Sequence, residues 1–305
     1  MSANRYYSLN DYCQKVFGEK VYRLSLSGGM TCPNRDGTLS YGGCAFCSAG
    51  GSGDFAADAV LPISEQLVQA RQKISSKTHC RKFIAYFQSF TNTYAPVDVL
   101  RQLYTQAMAE DEIVALSIGT RSDCLPLETQ KLLFQLNEIK PVWVELGLQS
   151  IHAATLSAMN THTTVSQFDA AVTALHSHGI SVIAHVILGF PGETKEMMKA
   201  TVRHVAALPV SGIKLQLLHV LRGTALADQY LCHPFPMMEL DEYCDLVIDC
   251  LELLPPEMVI HRLTGDGPRK LLIAPSWSTD KKRILNTIHH RLKERDTRQG
   301  EHFYG

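Results

Sequence analysis

Seven short apolar runs alternate with helix-like stretches along this 305-residue chain, and that alternation limits the fold more than any other feature. The runs are 21–27 (VYRLSLS), 82–88, 113–119, 141–148, 181–189, 212–218 and a short one at 258–263. Helical spacing occupies 62–76, 96–110, 126–139, 166–178, 194–208 and 239–254. Ser64 is a plausible helix cap, Pro96 suits a first turn, and Gly179 is a common helix stop. Strands that are apolar on both faces and joined by helices imply a parallel sheet covered by helices. Right-handed crossovers leave two α/β architectures, an open doubly wound sheet or a partial or full (β/α) barrel. Periodicity alone does not separate them. In either, active groups gather at the C-terminal strand ends.

Polar and special residues do collect there. Cys32 follows the first strand, Gln88 and Ser89 the second, and Thr120, Arg121 and Asp123 the third. Gln149 and Ser150 follow the fourth, and a Gly189 to Glu193 loop follows the fifth. Loops held by a rigid scaffold are the usual place for function.

Composition sets the setting. Hydrophobic residues are 45% and charged residues 19%, ordinary for a globular chain. No apolar run reaches the length of a membrane span, and the polar N-terminus lacks a signal-peptide core, so a cytoplasmic location is expected. Nine cysteines make a poor disulfide framework in that reducing compartment. Net charge is −1, yet residues 269–298 hold nine Lys/Arg against three Asp/Glu. That basic end could meet phosphates or form a solvated helix face.

Cys32, Cys44 and Cys47 have the spacing C-x11-C-x2-C in a Gly-rich loop. Gly42 and Gly43 ease the turn before Cys44. A structural zinc site wants four closed ligands, and a closed [4Fe–4S] cluster takes four cysteines. Three cysteines would leave one iron open to a cosubstrate. Zinc with a distant fourth ligand and inert or redox cysteines remain as alternatives.

The segment SGGMTCPNRDGTLSYGGCAFC, residues 27–47, resembles the radical S-adenosylmethionine (SAM) superfamily, and more closely its YhcC/YtqA family. The superfamily's usual first gap is shorter; the long gap here is characteristic of the family it resembles. Further matching segments are AYFQSFTNTY from Ala85, SIGTRSDCLP from Ser117, VELGLQS from Val144 and HVILGFPGET from His185. Several also resemble the elongator catalytic subunit, a radical SAM protein acting on tRNA wobble uridine. The resemblance implies a (β/α) barrel over 1–278 followed by a basic C-terminal helix or tail at 279–305. It implies a [4Fe–4S] cluster on Cys32, Cys44 and Cys47, with SAM as cosubstrate and a flavodoxin- or ferredoxin-type electron donor.

The resemblance also implies SAM contacts. Gln88 and Ser89 stand where the superfamily often holds the methionine amino group, although the usual Gly-Gly-Glu is absent. Glu145, Gln149 and Ser150 are candidates for ribose and methionine contacts, and Gly189 and Gly192 for the adenine border. Arg121, Lys214 and His185 are catalytic candidates. Arg121 could grip a carboxylate or pair with Asp123, His185 could be a core histidine, and Lys214 could point inward or out. His219, Arg222, His261 and Arg262 could hold an anionic substrate, and Cys124 could relay a radical. A stripe of Ile284, Leu285, Ile288 and Leu292 would dock the last helix, leaving Lys281, Lys282, Arg283, Arg291, Lys293 and Arg295 outward. The expected reaction is radical modification of tRNA at the wobble uridine or its C5 side chain. The alternatives are a small-metabolite radical SAM enzyme and a zinc-stabilised binding protein.

Overall fold

The computed structural model describes residues 5–304 except 52, 55, 76–79 and 266. Its elements are α1 Leu9–Phe17, β1 Tyr22–Leu26, α2 Ile63–Ser75, β2 Phe83–Phe87, α3 Val97–Met108, β3 Ile113–Thr120 and α4 Leu127–Asn137. There follow β4 Val142–Gln149, α5 Ala153–Ala158, α6 Val165–Ser177, β5 Ser181–Leu188, α7 Lys195–Ala206 and β6 Gly212–Leu217. The chain ends in β7 Val220–Leu221, α8 Ala225–Cys232, α9 Leu240–Glu252, β8 Val259–Arg262, β9 Leu272–Ala274 and α10 Lys281–Glu294.

All seven expected strands form, as β1 to β6 and β8, and they make one parallel sheet in that order. Sequential order with helical crossovers is the barrel solution, not the doubly wound one. The sheet curls: Arg23 on β1 and Lys214 on β6 both reach the Glu145 carboxylate on β4. Strands so far apart in a flat sheet could not share one side chain. The result is a curled half-barrel. β7 and β9 form a small antiparallel pair beside it.

Each of the six expected helix starts is displaced by one residue. Helix α2 begins at Ile63, so Ser64 lies inside the first turn, and Pro96 precedes α3 as its cap. The expected end of the second helix at Ser76 falls outside the described residues. Gly179 does follow α6, at φ +68°.

Side chains alternate across each strand, so every second residue faces the barrel interior. The lowest interior layer is apolar: Ile84, Ala115, Trp143 and Ile183 pack with Cys13 of α1. Leu9, Tyr12 and Phe17 join them, so α1 plugs the barrel bottom. Ser8 caps that helix reciprocally with Asp11 and also bridges Ile260 of β8.

The N-terminal segment is clasped by the far end of the chain. Arg5 pairs with Asp296, the Tyr7 amide donates to Gln299 Oε1 at 2.9 Å, and Tyr6 stacks on His289. Helix α10 buries Ile284, Ile288 and Leu292 in the main core, as its stripe predicts. Its basic face is only partly outward. Arg291 pairs with Asp241 and Asp245 of α9, and Arg295 with Asp245 and Asp249, so these two guanidiniums bind the protein itself.

Candidate active site

The interior layer above the plug is charged. Arg23, Tyr86, Ser117, Glu145, His185 and Lys214 come from β1 to β6, one from each strand. Glu145 is buried at the centre. Its Oε1 accepts from Ser117 Oγ at 2.8 Å and lies 3.2 Å from Arg23 Nη2. Its Oε2 accepts from Tyr86 Oη at 2.9 Å, from His185 Nε2 at 2.7 Å and from Lys214 Nζ. Five donors fill the four lone-pair positions of a carboxylate, so none remains for a ribose hydroxyl. Glu145 is therefore the pivot of a protein network.

Charges follow from that geometry. Burial alone would raise Glu145, but Lys214, Arg23 and His185 hold it well below the usual carboxylate range. Burial, then Lys214, pushes His185 down to about 4 against the pull of Glu145, so its ring is neutral near pH 7. His261 is likewise pushed down by burial and by Arg23, from whose Nη2 its Nδ1 lies 2.8 Å.

The third layer, Gln88, Gly119, Gly147, Gln149 and Gln216, opens upward. These residues line one cavity with Cys32, Cys44 and Cys47, and with Arg121, Glu145, His185, Lys214 and Arg262. The cysteine loop is held rigidly above it. Gly42 and Gly43 adopt φ of +82° and +88°, and a Cβ at Gly43 would strike Arg35. The Asn34 amide donates toward Cys44 Sγ at 3.5 Å, and Asn160 donates to the Gly43 carbonyl at 2.9 Å. Phe46 packs on Phe190, tying the loop to the end of β5.

Of the expected cosubstrate contacts, Gln88, Glu145 and Gln149 line the cavity, while Ser89, Ser150, Gly189 and Gly192 are absent from its lining. Ser89 packs under Gly53. Ser150 donates to Glu193, fixing the end of β4 to the loop before α7. Gly189 and Gly192 supply turns with φ of +95° and +83°. Arg121 lines the cavity, but its fork grips Asp123 at 2.9 and 2.7 Å and the Thr161 carbonyl at 2.8 Å. The pair is internal, so that fork is not open to a ligand carboxylate. Lys214 points inward and is fully buried. Arg262 lines the cavity, His219 lines an adjoining recess, and Arg222 is exposed. Cys124 faces a surface groove with Asp123 and Pro126, away from the cavity.

The network partners Arg23, Tyr86 and Ser117 escaped strand-by-strand reading. A signal was present: β2 to β6 each carry a polar residue at one height, including Tyr86, Ser117, Glu145, His185 and Lys214.

Two segments of the chain match family profiles: residues 32–205 the Radical SAM superfamily and residues 210–294 the Radical_SAM C-terminal domain. The chain belongs to the radical SAM superfamily. Within it, the chain is 45% identical to the Bacillus subtilis protein YtqA, over 98% of this chain and 93% of that one. The Elp3 structure from Methanocaldococcus infernus shares the fold, with a TM-score of 0.69 and 16% identity over 92% of this chain and 64% of that one. A tRNA uridine(34) acetyltransferase from the same organism is 25% identical over 168 residues, 54% of this chain but 31% of that protein.

Membership implies a [4Fe–4S] cluster and SAM, and the residues fit both. Three thiols edge one cavity. A hydrogen bond with Cys47, together with burial, raises the Cys44 thiol, while Arg121 and Asn34 pull it back toward the thiolate a cluster needs. For SAM, Gly119 and Gly147 keep the wall low, and Gln149, at φ +68°, has a buried Oε1 with no partner. An unsatisfied buried acceptor on a cavity wall suits a hydroxyl or ammonium ligand.

Proposed function

We propose that this radical SAM enzyme modifies tRNA at the wobble uridine or its C5 substituent, taking its electron from a flavodoxin- or ferredoxin-type donor. The observation that carries the reading is the 168-residue similarity to the tRNA uridine(34) acetyltransferase. This chain spans about a third of that protein.

The surface agrees with an RNA partner. Arg222, Arg269, Lys270, Lys281, Lys282 and Arg283 are all exposed. Arg269 Nη2 donates to the Thr279 carbonyl just before α10, and the Arg222 amide donates to the Leu271 carbonyl. The six cations therefore gather beyond the C-terminal ends of β6 and β8, at the side of the barrel that holds the cavity. Such a cluster is suited to phosphates.

When bound, the cluster and SAM would supply one-electron chemistry, generating a radical for hydrogen-atom abstraction from the substrate. The protein's part is placement. Cys32, Cys44 and Cys47 would hold the cluster, Gln88 and Gln149 offer polar contacts on the cavity wall, and Glu145 fixes Lys214 and His185 below. The plug formed by α1 closes the bottom to water.

The test is anaerobic cluster reconstitution, then a dithionite-driven assay for 5′-deoxyadenosine with and without unmodified tRNA. The expected result is stimulation of about tenfold by tRNA, a mass change at position 34, and loss of both in Cys44→Ala. Stimulation should fall steeply with added salt. SAM cleavage that ignores tRNA, with no altered nucleoside, would reject the RNA reading in favour of a small metabolite.

A further inference from the structure

The charged layer beneath the thiols sets several basic groups around one carboxylate. Among the described residues that line the cavity, Glu145 is the sole carboxylate. Two cations lean on it, Arg23 and the fully buried Lys214. Charges in such a region are costly unless compensated, and apolar residues could join the strands as well. Arg23 Nε is also buried without an acceptor.

The cations higher in the cavity have other work. Arg35 donates to the Cys47 and Ser48 carbonyls, and Arg121 holds Asp123 near the thiols. Lower down, β6 and β8 place Lys214 and Arg262 opposite each other in register, and both side chains reach the cavity. Arg262 is steadied by Gln216 at 3.3 Å, and Lys214 by Tyr86 at 3.0 Å and by Glu145. Lys214 lies one interior layer deeper than Gln216, whereas the cysteine loop lies above.

We propose that Lys214, Arg262 and Gln216 form a binding site for a small oxyanion carried by the substrate, a carboxylate or a phosphate, separate from the SAM carboxylate. A guanidinium and an ammonium on adjacent strands make a two-point clamp for such a group. Glu145, Tyr86 and Arg23 are positioning residues that hold Lys214 in place. The proposal rests on SAM chemistry taking place in this cavity, and it does not depend on the substrate being RNA.

The test is calorimetric titration of the anaerobic, cluster-loaded protein with acetate and with inorganic phosphate, at fixed ionic strength, with and without saturating SAM. One of the two anions should bind saturably at one site, with the same affinity when SAM is present. Arg262→Gln should weaken it at least tenfold, as should the paired change Glu145→Gln with Lys214→Met. The paired change removes both members of that ion pair; Arg23 loses its carboxylate but keeps its contact with His261 Nδ1 at 2.8 Å, and circular dichroism and cluster absorbance confirm the fold. Exposed Lys131→Ala should bind like the parent, and SAM affinity by equilibrium dialysis should be unchanged in Arg262→Gln. Anion binding abolished by SAM would assign the clamp to the SAM carboxylate and overturn the proposal. So would no saturable binding, or equal affinity in the folded variants. A failed tRNA assay with intact anion binding would reject the proposed function alone.

Discussion

Glu145 receives side chains from β1, β2, β3, β5 and β6, so its environment decides much of the protein's response to acid. His185 is held down to about 4 by burial and Lys214, so the unfolded chain takes up a proton first as pH falls below 6.5. The His185 contribution is complete above pH 6.5 and is lost as pH falls toward 4, worth about 3 kcal/mol in all. Glu145, also depressed, acts in the same sense, and its contribution is lost only when pH falls through its low folded value. Denaturant titrations of the anaerobic protein should show stability dropping from pH 6.5 to 4.5, and His185→Gln should flatten that drop. An equal drop in the variant would remove His185 as its source. Breaking the pair on one side is a separate matter. Lys214→Met alone should cost about 3–5 kcal/mol, because it leaves Glu145 buried with weaker compensation. The paired change with Glu145→Gln should recover only part of that loss in the same titration, because Arg23 then loses its carboxylate.

At the scale of elements, α10 shows which contacts hold a helix in place. Its buried stripe of Ile284, Ile288 and Leu292 and its Arg291 and Arg295 ion pairs both face α9. The two contributions differ in size. Ile288→Ala should cost about 2–5 kcal/mol through lost burial and a cavity. Arg295→Ala, at a half-exposed pair, should cost about 1 kcal/mol or less, and less again at high salt. Thermal melts at two salt concentrations separate the two. A larger loss from Arg295→Ala would mean that the Asp245 and Asp249 pairs, not the stripe, fix α10.

Seen as a whole molecule, the strands were legible because each is an apolar run bounded by polar residues, whereas their sequential order was left open by periodicity and came with the fold. The short pieces α1, α5, α8, β7 and β9 were not, since few residues carry their pattern and packing decides them. The three cysteines were legible as a group because their spacing is local, and they do edge one cavity. The Glu145 network was not, because its members lie up to 191 positions apart, from Arg23 to Lys214, and meet only once the sheet curls. Similarly, Ser150 and Ser89 stood in the right loops, but their side chains turned to Glu193 and Gly53. Position after a strand gives a residue's neighbourhood; rotamer and partner decide whether it faces the cavity.

The clasp between Arg5 or Tyr7 and residues 296–299 has a consequence for the order in which the protein is made. The strands pair sequentially, so the sheet can assemble while synthesis proceeds. The plug is different. Helix α1 emerges before every strand of the sheet, yet the residues that brace its approach are about 290 positions later. Until Gln299 has left the ribosome, the barrel bottom lacks its final brace. A stalled or clipped chain would therefore carry a formed sheet with a loosely held base, a species open to chaperones and proteases.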